Sequence, residues 1–336
     1  MQSFIFFFLQ QNMQPNGFKY QPYFIMLSEQ LQSHLAEYPK LYLEITGNLI
    51  DQSNITEILP EFEADTYKKL VAPWKYEMDI LLCIKAQDII DNQLMGDDQQ
   101  PFRDFLQIYL KKIENQFGVR PHIVINRIDI ENMYDIIFSF ETQFQKLGYR
   151  VREKYKIRAY SHDIQQVLSE DGFGNDDHIP VNKKLILIAG LTPECGKLTI
   201  AIAQMYLDQE IGIEAGYAKL EILPNYAASK TSPLNVMARA QYLEKAYEEE
   251  FDSILDQIDL YERGLEKHAF LQKVFALLKK PVPEYLSEYL FGQIDDSKLD
   301  QTVLKQTAEA YLKKLITSTS NTELSEKLEA LLEELE

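Results

Sequence analysis

The chain has 336 residues, of which 46% are hydrophobic and 12% aromatic, so it is long enough to bury one large core or to form two domains. Its formal net charge of −18 argues against non-specific attraction to the phosphates of nucleic acids or to anionic membrane surfaces. The two cysteines, Cys83 and Cys195, lie in unrelated segments, which argues against a disulfide framework or a cysteine-rich zinc site. We therefore predict a cytoplasmic globular protein without nucleic-acid or membrane partners.

An apolar run near the N-terminus, Phe4–Leu9, has the hydrophobicity of a secretory signal core. It is short, no Lys or Arg precedes it, and Gln-rich sequence without a small-residue cleavage site follows it. Two interpretations stay open: residues 1–16 are a ragged start, or the run packs on the folded domain. No other stretch predicts a membrane-spanning helix.

Six short runs rich in Ile, Val, Leu and Tyr predict the strands of a sheet. The predicted strands are Leu41–Ile45, Asp79–Ile84, His122–Asn126, Tyr149–Ile157, Leu185–Ala189 and Ala215–Leu223. Between the second and fourth strands, apolar residues recur at helical spacing, and Gly118 and Gly148 end the two helices. This alternation predicts an α/β fold with a mainly parallel sheet and flanking helices.

After Pro233 the strand signals stop, and charged amphipathic sequence predicts an α-helical region. We therefore divide the chain into an α/β domain over residues 17–232 and a helical region over residues 233–336. The last helix is predicted to begin with the capping box Ser320-x-x-Glu323 and to carry a leucine stripe over Leu324–Leu335. The stripe predicts burial against the α/β domain or in a homo-oligomer.

The strongest functional signal follows the fifth predicted strand, where a loop closes on Gly196-Lys197 and leads into a helix. Such loops bind phosphate because backbone N–H groups and the positive end of the helix converge on an anion, while a lysine adds a full charge. The predicted ligand contacts are Gly190, Thr192, Gly196, Lys197 and Thr199, with Arg127 as a further anion contact at the end of another strand. The predicted ligand is a nucleotide or another phosphorylated metabolite.

This loop departs from an ordinary phosphate-binding loop in several respects. Gly190 lies one residue too far from Gly196-Lys197, and Leu198 stands where a Ser or Thr would ligate magnesium. Pro193 removes one backbone donor, and Glu194 adds a negative charge where the anion would lie. A strand-to-helix turn with a solvated lysine explains the same residues without a ligand.

Other candidate groups each have a structural alternative. Lys156 and Arg158 flank a strand end, where surface ion pairs explain them as well as anion binding does. The acidic segment Asp171–His178 could hold a cation or cover a ligand, but its composition favours a surface turn. No histidine is spaced to act as a base for Cys195, so we predict that this thiol fills the loop and is not a nucleophile. The histidines show no ligand spacing, so no metal site is predicted.

Several segments share their order with one known family. They are Leu41–Ile45, Cys83–Ile89, Tyr155–Tyr160, Ser169–Gly174, Gly212–Lys219 and Pro233-Leu-Asn235. In this order, from about Gly17 to about Leu278, the chain resembles the mostly bacterial domain of unknown function 1846 family. The resemblance implies an α/β region followed by helices, with a further C-terminal domain that this chain is expected to lack. Family members have more Gly and Ser before the same Gly-Lys pair.

Two hypotheses of different classes result. In the first, the chain binds a nucleotide or other phosphorylated small molecule at a degenerate loop, through electrostatic positioning by backbone amides and Lys197. In the alternative, it is a non-catalytic interaction or scaffold protein that kept the fold and lost the ligand site. The residues leave open whether the chain is an enzyme.

Overall fold

A computed structural model describes residues 17–96, 98–157, 163–176, 178–248 and 260–335. The N-terminal run Phe4–Leu9 lies outside the described residues, as do Arg158 and Asp177 of the candidate groups. Within the described ranges, no helix combines the length and apolar character needed to cross a membrane.

A parallel sheet of seven strands forms the centre of the protein. Its strands are β1 (Lys40–Ile45), β2 (Met78–Lys85), β5 (His122–Ile128), β6 (Arg150–Tyr155), β7 (Leu185–Gly190), β8 (Ala215–Leu220) and β9 (Leu290–Phe291). They lie in the order β6-β5-β2-β7-β1-β8-β9. Two short strands, β3 (Leu94–Met95) and β4 (Gln100–Pro101), pair antiparallel outside this sheet. The predicted fold class and all six predicted strands are confirmed.

The central strands are continuous apolar runs in the sequence because helices cover both of their faces. Every residue of β1, β7 and β8 is buried. The charged residues Lys40, Glu44 and Lys219 are buried within these same strands. Because neighbouring strands run parallel, the carboxyl ends of β2, β7, β1 and β8 lie along one edge of the sheet.

Helices cover both faces of the sheet. They are α1 (Tyr20–Glu37), α2 (Ser53–Ile58), α3 (Thr66–Val71), α4 (Ala86–Asp91), α5 (Phe102–Phe117), α6 (Ile130–Lys146), α7 (Ile164–Val167), α8 (Lys197–Glu210), α9 (Pro233–Glu248), α10 (Leu260–Leu277), α11 (Gln301–Ser318) and α12 (Thr322–Glu333). Short 3₁₀ helices occur at Ala72–Glu77, Phe173–Asn175, Leu286–Glu288 and Asp296–Lys298.

The buried side chains form two apolar clusters, one on each face of the sheet. The larger cluster combines β1 residues such as Leu41 and Leu43 with apolar residues of α1, α5, α6, α9, α11 and α12. The other combines Tyr42 and Ile188 with residues of α8 and α10. The loop after β7 therefore leads to the opposite face from the helices that follow β2, β5 and β8. Ligand crevices of open α/β sheets form where successive connections diverge in this way.

The C-terminal region differs from the sequence prediction in two details. Strand β9 extends the sheet by pairing Leu290 with Lys219 of β8, although no strand was predicted after Pro233. A strand of two residues is too short to show a hydrophobic pattern in the sequence. It is recognised only by its hydrogen bonds to the neighbouring strand. Helix α12 is capped by Asn321, whose side chain accepts from the N–H of Leu324, so the predicted capping box at Ser320 is wrong by one residue.

The leucine stripe of α12 is buried, as predicted. Leu324, Leu328, Leu331 and Leu335 belong to the larger apolar cluster, and Leu332 is half-buried against it. The cluster also contains β1, so the stripe packs within one chain. Arg239 of α9 donates to both carboxylate oxygens of Glu334 at 2.5 and 2.9 Å, which ties the end of the chain to that helix.

Candidate functional site

Residues 191–196 connect β7 to α8 at the carboxyl edge of the sheet. The N–H of Leu191 continues the ladder by donating to the Cys83 carbonyl at 3.2 Å. Gly196 then takes a left-handed backbone conformation with φ of 88°, and the first helical hydrogen bond of α8 runs from the Ile200 N–H to the Gly196 carbonyl. The predicted strand, loop and helix are therefore present with Gly196-Lys197 at the helix start.

Both glycines of the loop are required by close packing. A Cβ at Gly190 would overlap the Cys195 sulfur, and one at Gly196 would overlap the Asn126 side chain. The stem of Lys197 also passes over Gly190, with its Cδ 3.4 Å from the place a Cβ would take. The presence of glycine in a sequence therefore does not distinguish a phosphate-binding loop from a tightly packed turn.

Asn126 and Arg127 connect β5 to this loop. Asn126 Nδ2 donates to the Cys195 carbonyl at 3.3 Å, while its Oδ1 accepts from the Arg127 N–H at 2.9 Å. Arg127 has a positive φ of 62°, and the β5–β6 register shifts between Ile125 and Ile128. This bulge leaves the Arg127 side chain exposed beside the loop, as bulges commonly do near functional sites.

Backbone donors converge where the loop enters the helix. Among the described residues, no hydrogen bond is found for the N–H groups of residues 194–198. The same holds for the Lys197 ammonium, which makes neither a hydrogen bond nor an ion pair within that part of the chain. Burial alone would lower the pKa of Lys197, but nearby acidic groups, among them the Glu44 carboxylate, raise it above its ordinary value. The lysine is therefore charged at neutral pH.

A basic cluster surrounds Glu194, which has a positive φ of 55°. One Glu194 carboxylate oxygen lies 3.5 Å from Arg263 Nη1 and 3.8 Å from Lys267 Nζ, both on α10. Burial opposes ionisation, but Lys267, Arg263, Arg127 and Lys197 together hold the pKa of this carboxyl below its ordinary value. The sequence predicted Glu194 as an unfavourable charge, whereas the structure places it among cations.

A second group of charges lies beside the loop at the ends of β1 and β8. Tyr217 donates to Glu44 at 2.7 Å, and Lys219 donates to Glu221 at 2.6 Å. Burial, together with the charge of Glu44, raises the pKa of Tyr217, so it stays a neutral donor. None of these residues was among the predicted ligand contacts. Their signal was the presence of charged residues inside apolar strand runs.

The two threonines of the predicted site differ in their surroundings. The Thr192 hydroxyl donates to Asp88 Oδ2 at 2.6 Å, and Lys85 lies 3.2 Å from the other oxygen of that carboxylate. This buried contact ties the loop to the start of α4. Thr199 lies half-buried in the first turn of α8.

Cys195 is buried beneath the loop with Cys83 on the neighbouring strand. Burial raises the pKa of the Cys195 thiol, although the charge of Lys197 acts in the opposite direction. A buried neutral thiol is a poor nucleophile, which supports the interpretation of Cys195 as a packing residue.

The remaining candidates lie away from this loop. Lys156 follows β6, three strands from β7, which corresponds to roughly 14 Å across the sheet. Asp176 pairs with Lys154 at 3.4 Å, and His178 lies 2.7 Å from Asp208, so these two residues of the acidic segment contact buried charged groups. In the described part of the chain, no group of three or more His, Cys, Asp or Glu residues could hold a metal ion.

This architecture defines an open α/β protein with a strand, loop and helix turn at the carboxyl edge of its parallel sheet. The family model "Domain of unknown function DUF1846, N-terminal" matches residues 16–288, and the chain belongs to this family. The resemblance in the sequence is thereby confirmed. The matched residues include strands β1 to β8 and all of α9 and α10, and they end before β9.

Relatives in several bacteria support the assignment. The chain is 24% identical to a UPF0371 protein of Clostridium botulinum strain Eklund 17B over 316 residues, which is 88% of this chain and 61% of that protein. It is 24% identical to a UPF0371 protein of Corynebacterium glutamicum strain R over 82% of this chain and 58% of the relative. A UPF0371 protein of Streptococcus pyogenes serotype M28 is 30% identical over 60% of this chain and 40% of its own length. The chain thus spans about three fifths of the length of the first two of these relatives.

Proposed function

We propose that the chain binds a phosphorylated small molecule, such as a nucleotide or a phosphorylated metabolite, at the loop from Gly190 to Lys197. The supporting observation is that the N–H groups of residues 194–198 and the Lys197 ammonium have no partner among the described residues. Unpaired donors at the start of a helix attract an anion because they combine with the positive end of the helix dipole. Arg127 adds a charge from the end of β5, two strands from β7 in the sheet.

The proposed mechanism is electrostatic positioning and requires no bound metal. Leu198 replaces the hydroxyl residue that would ligate magnesium, and the Thr192 hydroxyl is used by Asp88. We expect weak binding because Glu194 competes with the anion for the same cations. The charge on Lys197 does not depend on pH in the neutral range because its pKa is raised.

Calorimetric titration of the wild type with nucleotides and sugar phosphates, with and without magnesium, tests this proposal. Lys197→Ala should weaken binding by about tenfold or more, since one charge–phosphate contact is lost. Lys112→Ala removes an exposed lysine on α5 and serves as the control. Binding that is unchanged in Lys197→Ala would place the ligand elsewhere, and turnover of ATP that depends on magnesium would contradict the metal-free mechanism.

A second candidate function is a non-catalytic interaction or scaffold role. Helix α6 supports it, because Tyr134 and Phe138 are exposed there and stack with ring centroids 6.1 Å apart. Exposed aromatic pairs are typical of contact surfaces. Absence of binding to every phosphate compound by the wild type would favour this role over the first proposal.

A further inference from the structure

Helix α10 places two basic residues beside the loop. Their positions in the sequence gave no reason to associate them with it. Arg263 and Lys267 are one helical turn apart, so they project from the same side of α10. Both contact the Glu194 carboxylate, at 3.5 and 3.8 Å. Arg263 is held by packing, since its guanidinium also lies 5.2 Å from the Tyr242 ring centroid.

Several basic side chains lie around Glu194. Four cations act on it: Lys267 and Arg263 from α10, Arg127 from β5 and Lys197 from α8. Two further acidic residues, Glu44 and Glu221, act on Lys197, and Glu44 lines a pocket together with Lys267.

We propose that Arg263 and Lys267 complete an anion site for a doubly charged phosphoryl group, and that Glu194 occupies this site as an internal competitor when no ligand is bound. This inference rests on the proposed function and extends it from the loop to α10. A carboxylate brings one negative charge and two acceptor oxygens. A phosphoryl group brings about two charges and three acceptor oxygens, which match the four cations and the unpaired N–H groups more fully.

Glu194 is suited to leave the site. Its side chain is one-third exposed, and its ion pairs are at the long end of the distance range. Its positive φ is a conformation that residues other than glycine seldom adopt. Exchange of the carboxylate for a phosphate keeps Arg263 and Lys267 in contact with an anion.

The test compares Glu194→Gly with wild type in calorimetric titrations against inorganic phosphate and pyrophosphate. Glycine accepts the positive φ and removes the competing carboxylate, so we expect the variant to fold and to bind pyrophosphate about tenfold more tightly or better. Glu194→Asp keeps the charge and should bind as weakly as wild type. Glu329→Gln on α12 makes the same one-unit change in net charge at an exposed position and controls for overall charge.

Contacts from α10 are tested separately. Lys267→Gln should weaken pyrophosphate binding by about fivefold or more, while Lys273→Gln, an exposed lysine on the same helix, should not change it. If wild type binds and Lys197→Ala does not, but Glu194→Gly and Lys267→Gln both match wild type, the inference is wrong and the loop proposal stands. If neither wild type nor Glu194→Gly binds any phosphate compound, both are wrong.

Discussion

Gly196 shows how one residue can satisfy a backbone requirement and a packing requirement together. Its φ of 88° favours glycine, and its Cα faces the Asn126 side chain so closely that a Cβ would overlap it. Asn126 is itself buried and bonded to the Cys195 carbonyl, so it has little freedom to move. The loop conformation therefore depends on a contact between β5 and the start of α8.

We predict that Gly196→Ala costs about 2–4 kcal/mol of unfolding free energy, because backbone strain adds to the overlap with Asn126. Gly212→Ala is the matched control. Gly212 has a similar φ of 78°, yet nothing lies within 4 Å of an added Cβ, so only the strain of about 1 kcal/mol applies. Urea unfolding of both variants gives the comparison. Equal losses would show that the Asn126 contact contributes nothing.

A pH dependence is expected from His122 at the start of β5. Burial, reinforced by the positive charges of Arg150 and Arg152, lowers the pKa of this imidazole to about 4. The unfolded chain has the ordinary value of about 6.5, so it binds more protons than the native state between these two values. Stability therefore falls as pH drops from about 6.5 to about 4, by at most about 3 kcal/mol.

Urea unfolding at a series of pH values measures this effect. In His122→Leu the decline between pH 6.5 and 4 should be smaller than in wild type by up to that amount. A decline of the same size in both proteins would assign the acid sensitivity to other groups.

At the scale of elements, a buried polar network holds α8 against β1. Asp208 is fully buried and accepts from Lys40 at 3.0 Å and from Tyr42 at 2.8 Å, with His178 Nε2 at 2.7 Å. Lys40 is the first residue of β1, so this network lies at the amino edge of the sheet. It anchors the C-terminal turns of the helix whose first turn carries Lys197.

We predict that Asp208→Asn lowers the unfolding free energy by about 3–5 kcal/mol, because Lys40 is left buried without its counter-charge. Glu210→Gln on the same helix removes an exposed carboxylate and should change stability by less than about 0.5 kcal/mol. Chemical denaturation of the two variants decides the point. A small loss in Asp208→Asn would mean that Lys40 finds water or another acceptor.

The elements were predictable from sequence to different degrees for physical reasons. Apolar runs identified six strands because both faces of a parallel sheet are buried. Strand β9 carries no such run, and its pairing with β8 arises from tertiary packing. The loop at Gly196-Lys197 was found because its donors are close in sequence. Arg263 and Lys267 were not predicted as part of the site, since only the folding of α10 onto this face brings them close to Glu194.

At the scale of the whole molecule, the two regions proposed from sequence share one core. Leu234 and Met237 of α9 and Leu304 of α11 belong to the same buried cluster as Leu41 and Leu43 of β1. Strand β9 also pairs with β8 across the proposed boundary at residues 232 and 233. Removal of the helical region would expose this apolar face and the edge of β8. The division into an α/β domain and a helical region remains a prediction, and the cooperativity of unfolding tests it.

We predict that residues 17–335 unfold in one cooperative transition. Trp74 is the only tryptophan, and it packs against the larger cluster from the 3₁₀ helix before β2, so its fluorescence reports on the α/β part. Far-UV circular dichroism reports on helices throughout, including α9 to α12. Because one core joins these parts, the two signals should change with the same midpoint in urea. An earlier loss of helical signal at unchanged Trp74 fluorescence would show instead that residues 233–336 unfold independently, and would support a domain boundary at that position.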